Sequence, residues 1–264
     1  MKLKKIGPYD FVCSIGHYCA TAVYLKRHAL RPFSSPLDWV GSGPNGFAVH
    51  TGVIVDGFAR FLRKESLRLG VNHLIEGSDD MHHDYYTDLA TGMKVIHDFP
   101  RGVPFEQAYP EVRAKYDRRI RRFYAAIESS RRTLLVFQTS QDHVSDDEIT
   151  RRLAEIRCRF PETSVDLLVL ESVTGMEEIV LSEPLPGAWH LKGWFYKPGI
   201  DRVLGDRELC DRVYSRIRCK GRLWRKLRPK LCRTLARALV VCVPGKGRRR
   251  AIRESLLQRM GVKI

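Results

Sequence analysis

The chain has 264 residues, of which 44% are hydrophobic and 29% are charged. This length and composition are those of a folded globular protein, and they allow one substantial domain with an appendage. The sequence contains no run of about 20 apolar residues, the length that a membrane span needs. Its seven cysteines are an odd number in irregular spacing. We therefore expect a cytoplasmic protein without a secretion signal, a membrane span or a disulfide framework.

The formal net charge of +16 is concentrated at one end of the chain. Residues 218–264 contain 16 Lys and Arg and a single acidic residue, Glu254, whereas residues 1–217 contain 30 basic and 29 acidic residues. We therefore predict two parts, an α/β catalytic-type domain over 1–217 and a basic amphipathic helical tail over 218–264. The charge indicates a partner for the tail, and it does not constrain the function of the domain over 1–217.

Apolar spacing and turn residues predict the elements of the first half of the chain. In chain order they are a strand over 10–15, a helix over 17–29, an extended segment over 31–39, a helix over 47–69, a strand over 71–76, a loop over 77–88 and a strand over 93–99. A long charged helix over 105–131 follows.

The clearest fold signal is a strand–helix–strand pattern in the second half. Apolar runs at 133–137 and 165–170 flank an amphipathic helix over 148–160, and Ser145 with Glu148 fits a capping box before that helix. Such a unit implies two parallel strands joined by a right-handed crossover. Two further strands are predicted within 178–181 and 189–196, and a helix over 206–217. We predict a Rossmann-like α/β sandwich, in which helices flank a mainly parallel or mixed sheet.

Cys19 occupies a position that favours ionisation of its thiol. The strand over 10–15 ends in a turn with Ser14 and Gly16, and Cys19 falls in the first turn of the next helix. The partial positive charge at a helix N-terminus favours the thiolate, which is the nucleophilic form. The alternative is that Cys19 is a small buried hydrophobic residue.

A histidine at the end of the strand over 93–99 is the natural base for such a thiol. His97 needs an acceptor that orients it, and Asp98 follows it directly. Adjacent strand residues point to opposite faces, so Asp98 can serve only if the strand ends there. Asp38 is the second candidate. The alternative is that His97 and Asp98 cap a strand while Asp38 holds a turn.

Three short segments carry a resemblance to a known family. They are Ser-Ile-Gly-His-Tyr-Cys at 14–19, Ser-Pro-Leu-Asp-Trp at 35–39 and His-Asp-Phe at 97–99. Together they resemble a bacterial family described as papain-like cysteine peptidases, first defined as a domain of unknown function. The resemblance implies peptidase activity, with Cys19 as nucleophile and His97 as base. It also implies a papain-like α+β fold, the alternative to our fold prediction.

The same segments provide candidates for substrate binding. In a parallel sheet, the loops at the carboxyl ends of the strands line the ligand crevice. The loop after the strand over 133–137 would therefore face the same cleft as Cys19, and the amides after Ser14 could stabilise an oxyanion. The candidates for binding a peptide or acyl substrate are Ser14, Gly16, His17, Ser35, Trp39 and His143.

The sequence does not point to a cofactor or a metal. The turn at 14–19 lacks the glycine spacing of a nucleotide-binding loop. A metal site is the weaker alternative, because its ligand types match no standard spacing. Those residues are His82, His83, Asp84, His97 and Asp98.

The tail is the second strong signal. Apolar residues recur there at every fourth position, namely Leu223, Leu227, Leu231, Leu235, Leu239 and Val243. Together with Trp224 and many basic residues, they are typical of a helix lying on an anionic membrane surface. Nucleic-acid binding by the same charges and a hairpin docked on the body are the alternatives. We favour the membrane, which would hold the protein at its inner face.

Three functions of different class follow from these patterns. The first is a cysteine peptidase-like hydrolase or acyl transferase. The second is a surface-glycan biosynthesis transferase or accessory protein, with no thiol chemistry. The third is a non-catalytic, membrane-associated binding module. The patterns indicate no oligomeric state.

Overall fold

The computed structural model describes residues 4–16, 19–43, 45–70, 82–140, 143–201, 203–241, 243 and 245–262. The chain divides into two compact units, Met1–Cys219 and Lys220–Ile264. The strand predicted over 71–76 and the candidate His17 lie outside the described residues.

The described residues form eleven strands and seven α-helices. The strands are β1 (Ile6–Tyr9), β2 (Phe11–Ser14), β3 (Val40–Ser42), β4 (Leu67–Leu69), β5 (His83–Asp88), β6 (Met93–Pro100), β7 (Arg132–Thr139), β8 (Ser164–Ser172), β9 (Val180–Leu185), β10 (Ala188–Gly193) and β11 (Ile217–Cys219). The helices are α1 (Cys19–Arg27), α2 (Gly46–Val55), α3 (Phe105–Glu128), α4 (Asp146–Arg159), α5 (Arg207–Tyr214), α6 (Arg222–Leu239) and α7 (Lys246–Arg259).

The first unit is built around a five-stranded mixed sheet with the order β2-β7-β8-β10-β9. The first four strands are parallel and β9 runs antiparallel at the edge. A second sheet, β3-β6-β5-β4, is antiparallel, and β1 pairs with β11. The predicted α/β fold, with a mixed sheet flanked by helices, is confirmed.

The two faces of the central sheet carry different helices. Leu135 of β7 belongs to a core that includes α4, whereas Leu134 belongs to a core that includes α1 and α5. The strands β2 and β7 are neighbours, and the helices that follow them, α1 and α4, therefore pack on opposite faces of the sheet. At such a point an open parallel sheet forms a crevice beyond the carboxyl ends of its strands. The fold therefore favours a binding site next to the start of α1.

Two predicted segments are wrong. The helix expected over 47–69 ends at Val55, because the backbone turns left-handed at Phe58 and Leu62, whose side chains are buried. The loop expected over 77–88 contains β5. Tyr85 and Tyr86 are buried in that strand, and aromatic residues favour a half-buried strand surface.

The second unit is a pair of helices. Ala236 of α6 and Leu257 of α7 are the centre of a small core, against which Cys232 packs. Pro229 lies inside α6, which continues through it. In the described part of the chain, no helix is long and apolar enough to cross a membrane.

A buried carboxylate fixes the hairpin that carries β6. Asp88 is fully buried and accepts four hydrogen bonds. Two come from the backbone, from Leu62 N at 2.9 Å and Ala90 N at 3.1 Å. Two come from hydroxyl groups, from Ser66 at 2.6 Å and Thr91 at 2.8 Å. The carboxylate therefore joins the β5–β6 turn to the segment that enters β4.

We expect Asp88→Ala to lower the free energy of unfolding by about 3 kcal/mol, because it leaves the buried Leu62 amide without its acceptor. The matched control is Asp84→Ala on the same strand, which is half-buried and should cost less than about 1 kcal/mol. Urea unfolding of both variants measures the difference. Equal losses would show that the four hydrogen bonds do not fix the hairpin.

Candidate functional site

The turn between β2 and α1 is bonded on both sides. Gly16 O accepts hydrogen bonds from Gln138 N of β7 at 3.2 Å and from the Thr21 hydroxyl of α1 at 3.1 Å. Ser14 is buried, and its Oγ accepts from Gly16 N at 3.2 Å. The turn that precedes Cys19 is thus held against both the sheet and the helix.

The first two amides after Ser14 are already engaged. Ile15 N donates to Val136 O at 2.9 Å, and Gly16 N donates to Ser14 Oγ. The next two amides belong to residues 17 and 18, which lie outside the described residues. An oxyanion-binding role for the amides of this turn stays a prediction.

A buried histidine lies directly against the turn. Gly16 has φ +103°, and a Cβ at this position would lie 2.2 Å from His50 Nδ1. His50 belongs to α2, is fully buried, and its Nδ1 lies 2.6 Å from Ile15 O. Because a carbonyl oxygen only accepts, Nδ1 carries the proton. Burial lowers the pKa of His50 to about 4, so the ring is neutral at physiological pH.

Cys19 is the first residue of α1 and is partly exposed. Tyr196 lies on the same face of the sheet, where burial and then the charge of the ionised Cys210 raise its pKa; Cys19 adds a smaller effect in the same direction. Gln138 donates to Tyr196 at 3.1 Å and accepts from Tyr214 at 3.0 Å. The start of α1 is therefore next to a polar cluster on one face of the sheet.

Asp38 is held inside its own segment. It is fully buried and paired with Arg31, and its Oδ2 accepts from Ser35 N at 3.0 Å. Ser35 Oγ in turn accepts from Leu37 N at 3.2 Å. Burial raises the pKa of Asp38 to about 6, although Arg31 opposes the shift. Asp38 is therefore largely ionised at neutral pH and fixes the turn before Trp39.

His97 and Asp98 contact different neighbours. The His97 ring lies edge to face with Trp39, with ring centroids 6.1 Å apart. The Asp98 carboxylate is engaged by the Tyr116 hydroxyl and by Lys115, both on α3. It also lines a cavity of about 610 Å³ beside α3. Which acid orients His97 stays a prediction.

The histidines of the hairpin form a packing contact. The His83 and His97 rings lie edge to face, with centroids 6.2 Å apart. Among the described residues, no group of three or more His, Cys, Asp or Glu is placed to hold a metal ion.

The recognised segments meet although they are far apart in sequence. Trp39 of the second segment packs on His97 of the third. Cys13 lies next to the first segment in β2, and burial together with the nearby Asp38 carboxylate raises its pKa. The region around Asp38 and Trp39 therefore joins β2 of the central sheet to β6 of the antiparallel sheet.

The candidate His143 belongs to a second polar group, which lies on the α4 face. Its Nδ1 lies 2.8 Å from Glu171 Oε1, and its side chain is 80% exposed. Glu171 Oε2 lies 2.8 Å from Nε2 of the buried His190, whose Nδ1 lies 2.7 Å from Asp146 Oδ1. The result is a chain of two histidines and two carboxylates at the end of β8.

Sequence reasoning missed three of these residues. His50 could have been noticed as the only histidine in an otherwise apolar helix, but its contact with Gly16 is not encoded locally. Glu171 lies near the end of β8 and His190 lies inside β10, and their pairing depends on the β8–β10 register, in which His190 is aligned with Val169.

Comparison with known proteins places the chain in a family. The family described as "Putative papain-like cysteine peptidase (DUF1796)" matches residues 10–164, more than half of the chain. The chain belongs to this family. It is also similar to Uncharacterized protein R408 of Acanthamoeba polyphaga mimivirus, at 27% identity over 158 residues. That match covers 54% of this chain and 66% of the viral protein, just under two thirds of its length. No solved structure matches the chain.

The Gly16 contact generates a stability prediction. We expect Gly16→Ala to lower the free energy of unfolding by about 3 kcal/mol or more, because it adds a left-handed strain and a clash with His50. The control is Gly102→Ala, which has φ +78° but no atom within 4 Å of the added Cβ and should cost about 1 kcal/mol. The double variant Gly16→Ala with His50→Ala should lose less free energy of unfolding than the sum of the losses of the two single variants. Simple additivity would contradict the contact.

The buried imidazole generates a pH prediction. The pKa of His50 is lowered from 6.5 to about 4, so the unfolded state binds more protons between these values. Stability from this group is therefore present above pH 6.5 and is lost as the pH falls towards 4, by about 3 kcal/mol at most.

The test compares the native chain with His50→Gln in urea at several pH values. Asp38, whose raised pKa gives the opposite slope, is present in both proteins and cancels. The difference in the free energy of unfolding should shrink as the pH falls from 6.5 to 4. A constant difference would show that His50 does not titrate in this window.

Proposed function

We propose that this protein is a cysteine-dependent hydrolase or acyl transferase, with Cys19 as nucleophile and His97 as general base. The observation that carries the proposal is the position of Cys19. It opens α1 directly beyond the carboxyl end of β2, beside the point where α1 and α4 leave the sheet on opposite faces. Family membership supports a peptide or a related acyl substrate.

The chemistry follows from that position. His97 takes the proton of the Cys19 thiol, and the partial positive charge at the start of α1 stabilises the resulting thiolate. The thiolate attacks the acyl carbon, and the negative charge moves to the carbonyl oxygen. As the tetrahedral intermediate collapses, protonated His97 gives its proton to the leaving amine or alcohol, and a thioester on Cys19 remains. Water, or an acceptor hydroxyl or amine in the transferase case, then attacks the thioester carbon while neutral His97 takes its proton. The C–S bond breaks, the acyl group leaves on the acceptor, and His97 returns the proton to the Cys19 thiolate.

Asp38 is the better of the two candidate acids for orienting His97. Its Oδ1 is buried and has no hydrogen-bond partner among the described residues, and the adjacent Trp39 packs on His97. Both oxygens of Asp98, in contrast, are engaged by Tyr116 and Lys115. The unsatisfied Asp38 oxygen, in a segment that contacts His97, supports Asp38 as the acid that orients the imidazole.

The proposal predicts a selectively reactive thiol. The rate of Cys19 alkylation by iodoacetamide, followed by peptide mass spectrometry across pH, should show an apparent pKa below the free-thiol value of about 8.5. Cys158 is exposed on α4 and Cys13 is buried, so they serve as internal references. An unreactive Cys19, or one that reacts no faster than Cys158 at neutral pH, would contradict the proposal and favour the glycan-linked or non-catalytic alternative.

Matched variants assign the base and the acid. His97→Ala should raise the apparent pKa of Cys19 alkylation towards that of an ordinary thiol. It should also lower turnover of peptide or acyl-ester substrates by about 10²-fold or more. His143→Ala, which changes a histidine on the α4 face, is the comparison variant and should change the thiol pKa less than His97→Ala does. Asp38→Asn should weaken the effect of His97 more than Asp98→Asn does. If His143→Ala alone abolishes the low pKa, then the base is on the α4 face and His97 is not catalytic.

A further inference from the structure

The apolar stripe of α6 is exposed. Its five leucines lie at four-residue intervals, and each is between 41% and 70% exposed; they are Leu223, Leu227, Leu231, Leu235 and Leu239. Trp224 beside them is 60% exposed. A contiguous apolar surface of this kind on a folded protein marks an interaction site.

The packing of α6 against α7 uses a different face of the helix. Ala236 is buried in the small core of the two helices and Cys232 packs against it. The half-buried residues Arg225 and Pro229 continue this stripe at helical spacing. The five leucines are exposed, so α7 does not cover them. The most apolar face of α6 is therefore left to a partner.

Basic side chains border the exposed leucines. Lys226, Lys230, Arg233 and Arg237 follow one another at spacings of four, three and four residues, and all four are exposed. They form a second stripe next to the leucines, and α6 contains no acidic residue. The single acid of the unit is Glu254, which is paired with Arg250 at 2.9 Å. The partner must therefore be apolar in part and negatively charged in part.

A basic cavity lies beside the end of this stripe. It has a volume of about 320 Å³. Val240 and Val241 form its apolar wall, and five basic residues complete it, namely Arg237, Lys246, Arg249, Arg250 and Arg253. Val241 is itself 66% exposed. Cationic groups around a cavity that opens next to an apolar edge suit a phosphate whose attached chains lie in hydrocarbon.

We propose that residues 220–264 dock on an anionic phospholipid surface, with the α6 leucines inserted among the acyl chains and a lipid phosphate in the basic cavity. Interfacial helices of this type gain affinity from buried apolar area and from attraction to anionic headgroups. Nucleic acid would satisfy the charges, but it would leave the five leucines in water. The inference concerns the partner of the tail and is independent of the proposed thiol chemistry.

The test is sedimentation of the full chain with vesicles. The native protein should bind vesicles that contain both phosphatidylglycerol and phosphatidylcholine. Its affinity for vesicles of pure phosphatidylcholine should be lower by about tenfold or more. Binding should weaken when salt is raised from about 0.1 M to about 1 M, because the Debye length falls from about 10 to about 3 Å. No binding to phosphatidylglycerol vesicles would overturn the proposal.

Two sets of variants separate the contributions. Leu227→Ser, Leu231→Ser and Leu235→Ser together should lower the affinity by about tenfold or more. The matched control is Leu69→Ser with Leu89→Ser, two leucines of the first unit that are 67% and 63% exposed, and it should bind like the native chain. Equal binding of the leucine variant and the native chain would overturn the proposal.

Charge and folding are checked in the same series. Lys226→Gln, Lys230→Gln and Arg237→Gln together should lose most of the preference for phosphatidylglycerol. Circular dichroism verifies that each variant keeps its helices; if the leucine variant unfolds, the charge variant decides.

If the leucine variant still binds duplex DNA as tightly as the native chain, and DNA competes fully with vesicles, the tail is a nucleic-acid site. Cys19 alkylation should be unchanged throughout, so that failure here is distinct from failure of the proposed function.

Discussion

The contact between Gly16 and His50 is the constraint on which the candidate site depends. The turn at Gly16 has a backbone conformation that other residues rarely adopt, and the His50 ring fills the space of a side chain there. Because His50 lies on α2, this contact ties the end of β2 to a helix of the core that also contains α4. The contact thus helps to fix the end of β2, beyond which α1 begins at Cys19.

The parallel sheet places two polar groups at its carboxyl end, one on each face. The group on the α1 side contains Cys19, Gln138 and Tyr196. The group on the α4 side is the chain from His143 through Glu171 to His190. Buried polar groups of this kind are stable only when they are satisfied. In the antiparallel sheet, His97 contacts Trp39; its role as the base for Cys19 is a proposal.

Local patterns were sufficient for the strand–helix–strand unit. Its strands are continuous apolar runs, and the predicted cap is confirmed, since Ser145 Oγ accepts from Glu148 N at 3.1 Å; the helix begins at Asp146, two residues before the predicted start. The start of α1 at Cys19 was also within the predicted helix. These elements are defined by short-range periodicity and capping, which a single sequence records directly.

Other features depend on contacts that are distant in sequence. The helix predicted over 47–69 is wrong because the backbone turns at Phe58 and Leu62, and both side chains are buried in the core. The spacing of apolar residues does not show this burial. The strand β5 depends on pairing with β4 and β6. In the site, the candidates were named by residue type and motif, but the Arg31 pair of Asp38 and the α3 partners of Asp98 required the fold.

The most direct measurement of the central claim is the ionisation of the Cys19 thiol itself. Thiolate absorbance near the ultraviolet edge, taken as the difference between the native chain and Cys19→Ser across pH, titrates this single group. We expect a midpoint well below the ordinary thiol value of about 8.5, because the start of α1 stabilises the charge. A midpoint at or above that value would show that Cys19 is an ordinary thiol and would contradict its role as nucleophile.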